Sequence, residues 1–323
     1  MNPTWQASQK RNRWAVILAG GDGVRLRPLT RRISGDDRPK QFCPVLGEET
    51  LLDQTRERVT LGFSPQRIAV VVTKSHESYY SPLLCSYPTD SVVVQPENRG
   101  TSPAILYSLL RIFAADPNSV VAFFPCDHYV SDDRVFMRHV SEALDAVCAG
   151  PDMVVLLGIT PDAPEVEYGW IEPGYPIHIR STGTLRSVRR FWEKPAFTLA
   201  EALLGRGCLW NSFVMAGSTS SFVRLIRQAA PELYFAFKEI RNVPGTPQYK
   251  ASLENLYRQL PSLNFSEQVL VPRGGDLALL PVNGIMWSDL GTPQRVIHSQ
   301  TRCRTQSQSR SSDRQLFDLE REL

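Results

Sequence analysis

The sequence predicts an α/β protein built on a mainly parallel sheet with helices on both faces, and three observations predict it. Short apolar runs recur through the first half, at 14–19 (WAVILA), 67–73 (RIAVVVT), 91–94 (SVVV), 119–124 (SVVAFF) and 153–159 (MVVLLGI). Runs of this length, rich in Val and Ile, suit strands buried on both faces. Segments with apolar residues at helical spacing separate them. Strand, helix, strand in that order gives parallel neighbours, because returning a strand in the same direction needs a long crossover rather than a hairpin turn.

Each element has its own warrant. The run at 14–19 enters a glycine-rich turn. Thr50 to Leu61 places Leu51, Leu52, Thr55 and Val59 on one helical face. Ser102 to Ala115 opens on Ser-Pro, a good helix start, and carries Ile105, Leu106, Leu109, Leu110 and Phe113. Asp132 to Ala149 supplies a third helix. The second half is more mixed, with hairpin-like stretches at 168–193 and 208–216 and helical ones at 219–240 and 247–260. No linker and no internal repeat interrupts it. Residues 1–13 read as a polar tail, 14–298 as one folded domain and 299–323 as a polar, disordered tail rich in Arg, Ser and Gln.

Bulk properties narrow the function. A chain of 323 residues, 42% hydrophobic and 21% charged, has the composition of a soluble globular protein with a substantial core. Lys10, Arg11 and Arg13 account for the whole net charge of +3, so the rest of the chain is balanced. That distribution argues against a broad basic face for nucleic acid. The 6 cysteines are scattered without a C-x-x-C pair, which fits reduced thiols in a cytoplasmic protein. No apolar run approaches the ~20 residues of a membrane span, and the polar N-terminus lacks a signal-peptide core.

The stretch WAVILAGGDGVRLRPL (Trp14–Leu29), followed by RPKQF, carries the chemistry. Glycines let a backbone approach a ligand closely, and Arg with Lys suits an anion. It is not a dinucleotide fingerprint, whose third glycine position is Leu26 here, and no Walker loop occurs in the chain. Cys126-Asp127-His128 is not a thiol–histidine pair, since neighbours on a strand point to opposite faces.

The pattern L-A-G-G-x-G-x-R-L-x-P-L-T followed by P-K-Q-F resembles the signature of the sugar-1-phosphate nucleotidyltransferases, most closely their mannose-1-phosphate guanylyltransferase branch. QPENRGTSPAI (Gln95–Ile105), FPCDHYV (Phe124–Val130), YGWIEPG (Tyr168–Gly174), FWEKP (Phe191–Pro195), LWNSFVMAG (Leu209–Gly217) and MWSDLGTP (Met286–Pro293) follow in family order. The resemblance implies a Rossmann-like, GT-A-type sheet with a smaller mixed β region for the sugar. The implied reaction transfers GMP from GTP to mannose 1-phosphate, with Mg²⁺ as cofactor. No nucleic-acid or membrane partner is implied, and a homodimer stays open.

Residue roles are carried over on the same terms. The resemblance makes Arg25, Lys40 and Asp127 catalytic, Arg25 as a triphosphate clamp and Lys40 at the reacting phosphates. Leu18, Ala19, Gly20, Gly21, Gly23, Gln95, Asn98, Gly100 and Thr101 would hold the nucleotide. Tyr168, Gly169, Glu193, Lys194 and Asn211 would hold the sugar phosphate, and Asp127 with Asp289 would ligate Mg²⁺. The chain departs from the pattern at Arg27-Pro28-Leu29-Thr30, at the extra residues Ser34–Asp37, and at Phe213, where relatives often carry glycine. Another hexose-1-phosphate nucleotidyltransferase, or a non-catalytic homologue that senses GDP-sugars, remains an alternative.

Overall fold

The computed structural model describes residues 12–150, 152–179, 185–240 and 245–302. All five apolar runs of the first half become strands. They are β1 (Arg13–Leu18), β2 (Ile68–Thr73), β3 (Val92–Gln95), β4 (Val120–Pro125) and, after the short β5 (Tyr129–Val130), β6 (Val154–Ile159). The hairpin expected over 168–193 is formed by β7 (Gly169–Ile177) and β8 (Leu185–Glu193). The stretch expected as a second hairpin is instead a single strand, β9 (Leu209–Ser218). It lies between β4 and β6 and pairs antiparallel with both, so its two edges are satisfied without a turn. Strands β10 (Leu277–Val282) and β11 (Trp287–Ser288) complete the set.

The large sheet has the order β3-β2-β1-β4-β9-β6-β10-β8-β7. Only β8 and β9 run against the other strands of this sheet. Consecutive strand residues divide between two cores. Ile17, Val70, Phe124 and Leu157 enter one, while Val16, Val71, Phe123 and Leu156 enter the other. The period of 2 therefore buries both faces.

The helices supply the covers. In chain order they are α1 (Arg27–Ser34), α2 (Leu51–Thr60), α3 (Glu77–Leu84), α4 (Thr101–Ala115), α5 (Asp133–Ala149), α6 (Phe197–Gly205), α7 (Thr219–Ala229), α8 (Pro231–Lys238), α9 (Pro247–Gln259) and α10 at 293–302. α2 and α5 pack on one face, with α4, α7 and α9 on the other. Thr50 and Asp132 cap α2 and α5 by accepting from Asp53 N–H and Val135 N–H. The helical stretch 219–240 breaks at Pro231, which has no N–H to continue α7.

The expected boundary at 299 falls inside α10. Ser299 is buried there, and Gln300 Nε2 donates to Val45 C=O at 2.7 Å. The remaining tail positions, 303–323, and residues 1–11 lie outside the described residues. A third, smaller core of Leu26, Cys43, Val45, Leu51, Tyr129, Leu290 and Val296 joins the glycine turn, the RPKQF segment and the 290–296 segment. Ser34 closes α1, Gly35 caps it in the left-handed region, and Asp36 and Asp37 pair with Arg38 and Arg31.

Candidate active site

A cavity of about 490 Å³ opens at the carboxyl ends of β1, β3 and β4, where open α/β sheets bind ligands. Leu18, Gly20, Gly21, Gln95, Asn98, Gly100 and Thr101 line it from the nucleotide set, Arg25 from the catalytic set, and Tyr168, Gly169, Glu193, Lys194 and Asn211 from the sugar set. Asp127 and Asp289 line it too. Sheet order explains the convergence. The glycine turn and Gln95 leave β1 and β3, and Asp127 follows β4. Asn211, Glu193 and Gly169 lie on β9, β8 and β7 beyond it.

The glycine turn is held from below. Ala19 N–H donates to Val71 C=O at 2.8 Å, and Gln41 Nε2 donates to the carbonyls of Ala19 and Gly21 at 3.1 and 2.6 Å. Thr73 Oγ1 donates to Gly20 C=O at 3.0 Å. A Cβ on Gly20 would stand 2.8 Å from Gln95 Nε2 and 3.0 Å from Thr73 Oγ1, so any larger residue must shift the end of the Gln95 side chain. Asp22 is gripped on both oxygens, by His76 Nε2 at 3.2 Å and Asn98 Nδ2 at 2.8 Å. Burial lowers the pKa of His76 although Asp22 opposes that shift.

Three expected residues do not line the cavity. Ala19 is fully buried just past the end of β1. Gly23 has φ +57, and a Cβ on it would lie 3.0 Å from Lys40 N, so its role is to let the turn pack on the RPKQF segment. Lys40 is 7% exposed and sits behind the carboxylates. Its ammonium pairs with Asp127 Oδ2 at 3.2 Å and donates to the carbonyls of Asp289 and Leu290 at 2.5 and 3.2 Å.

Burial pushes the Asp127 carboxyl up, but Lys40 and His128 outweigh it and hold it below its ordinary value. His128, packed edge-on against Trp287 at 5.0 Å, is held below its ordinary value by burial. Asp289 Oδ1 receives Arg295 Nη1 at 2.9 Å, Gly291 N–H at 2.8 Å and Tyr168 OH at 3.3 Å. Arg295 also pairs with Glu165 and stacks its guanidinium 4.4 Å from the Tyr168 ring centroid. Among the described residues no group of three or more His, Cys, Asp and Glu is placed to hold a metal. Asp127 and Asp289 nevertheless face one cavity, and a sparse Mg²⁺ site needs only one or two carboxylates, with substrate phosphate and water completing it.

On the other side, Glu193 meets Lys194 at 3.4 Å, and burial raises the Glu193 carboxyl although Lys194 opposes the shift. A Cβ on Gly169 would lie 3.0 Å from Glu193 Oε2 and 3.3 Å from Asn211 Cβ, which fixes these three close together. β9 bulges as it passes, between its pairings of Met215 with Leu156 and Asn211 with Gly158. Ser212 Oγ donates to Leu157 C=O at 2.6 Å and accepts Val214 N–H at 3.1 Å. Phe213 at the bulge has φ +58 and lines the cavity.

The sequence reading missed several participants. Ser262, Asn264 and Ser266 line the cavity from one alternating stretch, tied to the start of α4 by Ser102 N–H to Leu263 C=O at 3.0 Å and Phe265 N–H to Thr101 Oγ1 at 2.8 Å. Only their spacing of 2 could have flagged them. Gln41 sat unused inside the quoted PKQF. Glu167, beside Tyr168, pairs with Arg25 at 2.5 Å, both side chains being well exposed.

Residues 14–306 match the family model described as nucleotidyl transferase. The xanthan biosynthesis protein XanB of Xanthomonas campestris is 31% identical over 223 residues, covering 68% of this chain and 44% of that protein. Mannose-1-phosphate guanylyltransferase ManC of Salmonella typhimurium is 26% identical over 285 residues, covering 86% and 58%. The chain thus spans about half the length of the curated relatives it matches. A solved structure from Thermus thermophilus, described as a mannose-1-phosphate geranyltransferase, superposes with a TM-score of 0.74 at 28% identity, over 87% of this chain and 76% of that one.

Proposed function

The chain belongs to the nucleotidyl transferase family, and we propose that its cleft transfers GMP from GTP to mannose 1-phosphate, giving GDP-mannose and pyrophosphate. One observation carries the reading. The two expected ligand sets open into a single cavity, and by sheet order the carboxylate after β4 stands between them.

The chemistry needs little proton transfer. A phosphate monoester has its second pKa at ~6, so the sugar phosphate already presents a dianionic oxygen at neutral pH. That oxygen bonds to the α-phosphorus as the bond to the bridging oxygen breaks, and pyrophosphate leaves with the electron pair. The obstacle is repulsion between anions, which cations and N–H groups placed in advance relieve. Arg25 at the mouth would exchange Glu167 for the triphosphate, and Lys194 would meet the sugar phosphate. Glu193 and Asn211 would take sugar hydroxyls. Lys40 would act from behind, fixing Asp127 and the Asp289 backbone against its ammonium. Asp127 and Asp289 would hold Mg²⁺, which neutralises charge on the phosphates when bound.

Pyrophosphate release across a matrix of nucleoside triphosphates and hexose 1-phosphates tests the proposal. GTP with mannose 1-phosphate is expected to be the best pair. Turnover at least ~10-fold faster with UTP and glucose 1-phosphate, a gap of about 1.4 kcal/mol, would replace the mannose assignment while keeping the reaction class. Tight GDP-sugar binding without turnover of any pair would favour the sensing homologue.

A further inference from the structure

We propose that Phe213 sets substrate size in the sugar compartment, admitting a hexose 1-phosphate and rejecting one that carries an acylamino group. The inference rests on the function proposed above and names a determinant within that site.

Phe213 is an unusual residue for its backbone. At φ +58 it occupies the left-handed region, which glycine enters freely and a bulky side chain does not. Neighbours on both sides hold it there. Asn211 Oδ1 accepts Phe213 N–H at 3.1 Å, and the Ser212 hydroxyl bridges Leu157 C=O and Val214 N–H. Ser212 is fully buried and Val214 nearly so, which pins the bulge and aims the ring at the cavity.

The ring is backed by a fixed wall. It meets Phe265 edge to face, with centroids 6.3 Å apart and planes at 83°. Phe265 is fully buried, and its N–H is tied to Thr101 Oγ1. Both of these partners adjoin the sugar set. Asn211 packs on Gly169, and Ser266, next to Phe265, lies beside Glu193 and helps to lower its carboxyl.

Crowding makes such a wall decisive. Pockets for one drug-sized ligand run from about 300 to 1,000 Å³, and this cavity of about 490 Å³ must take a nucleotide and a hexose phosphate together. An apolar ring offers no hydrogen bond, so it cannot read the epimeric state of a hydroxyl. What it does read is bulk, which apolar walls sort by ~10- to 200-fold for even small groups.

The test compares kcat/KM for mannose 1-phosphate and N-acetylglucosamine 1-phosphate, with GTP, in wild type, Phe213→Leu, Phe213→Ala and Phe213→Gly. Calorimetric binding of both sugar phosphates and of GTP runs alongside. The wild type is expected to prefer mannose 1-phosphate, and Phe213→Ala and Phe213→Gly to shrink that preference at least ~10-fold. Phe213→Leu should retain most of it, and GTP affinity should hold throughout. Unchanged preference in any folded Ala or Gly variant overturns the inference, as does a wild type that already favours the N-acetylated substrate. A wild type that binds GTP yet neither binds nor turns over any hexose 1-phosphate removes the proposed function and this inference with it.

Discussion

Lys40→Met asks what a buried ammonium behind two carboxylates contributes. Methionine keeps most of the stem's volume, so little cavity forms. What disappears is a charged donor to two carbonyls, each such bond being worth about 1.5–3 kcal/mol, and the cation facing Asp127. Stripping one partner from a fully buried ion pair costs about 3–5 kcal/mol. The Asp127 side chain is 31% exposed, however, so water compensates part of that loss. The expected destabilisation is on the order of 3 kcal/mol, read as a lower urea midpoint at unchanged m. Turnover should fall by at least ~10²-fold.

A double-mutant cycle with Asp127→Asn separates support of the carboxylate from support of the carbonyls. Removing the Asp127 charge first should reduce the cost of Lys40→Met by about 1–2 kcal/mol. Stability within about 0.5 kcal/mol of wild type in Lys40→Met would show that the ammonium behaves like a surface charge. Strict additivity in the cycle would show that Lys40 does not serve Asp127.

Substitutions at four further residues have expected outcomes. Lys194→Ala should weaken sugar-phosphate binding and leave GTP affinity of the free enzyme unchanged, checked by calorimetry. Lys194→Gly should be the more stable of the two by about 1 kcal/mol, because it also relieves φ +47. Glu167→Gln frees Arg25 from an exposed ion pair worth about 0–1 kcal/mol, so the KM for GTP should fall by no more than about 5-fold, and less in high salt. Gly20→Ala must displace Gln95 or Thr73, and should cost about 1–3 kcal/mol by chemical denaturation and weaken GTP binding. Glu193 is held above its ordinary pKa by burial, so the folded state keeps that proton more tightly and loses stability as pH rises through the raised value. Glu193→Gln should therefore gain in Tm relative to wild type between acid and neutral pH; a constant difference would refute the burial argument.

Much of the fold was legible because the first half obeys local rules. Val and Ile runs, Ser-Pro at the start of α4 and Asp132 before α5 all signal through neighbours in sequence. β9 was misread for the opposite reason. Its placement between β4 and β6 is set by partners more than 50 residues away, and nothing in LWNSFVMAG reports them. The site was legible in membership and less so in arrangement. Glycine in the turn suggested ligand approach at every position, yet Gly23 is demanded by its positive φ and its packing on Lys40, and Gly20 also packs on the end of Gln95. Arg295 escaped notice because its work is done through Asp289, six residues away, and through Glu165. An arginine in a polar stretch looks solvated until tertiary structure gives it two carboxylates.

The residues that break local rules lie where the cleft is built. Among the described residues, the non-glycine positions with positive φ are Lys194, Phe213 and Leu290. Each such conformation costs roughly 1–2 kcal/mol for a side chain with a Cβ. Surrounding bonds must then enforce it, as strained residues persist only where their neighbours over-determine them. Lys194 N–H is held by Tyr168 C=O at 3.2 Å, Phe213 N–H by Asn211, and Leu290 by burial in the third core and by the Lys40 ammonium on its carbonyl. Three segments that are remote in sequence each bend against propensity at the same cavity. Selection for stability alone would place glycine at such positions, as it does at Gly23, Gly35 and Gly100. Lysine and phenylalanine there are better explained by what their side chains reach, which is the interior of the cleft.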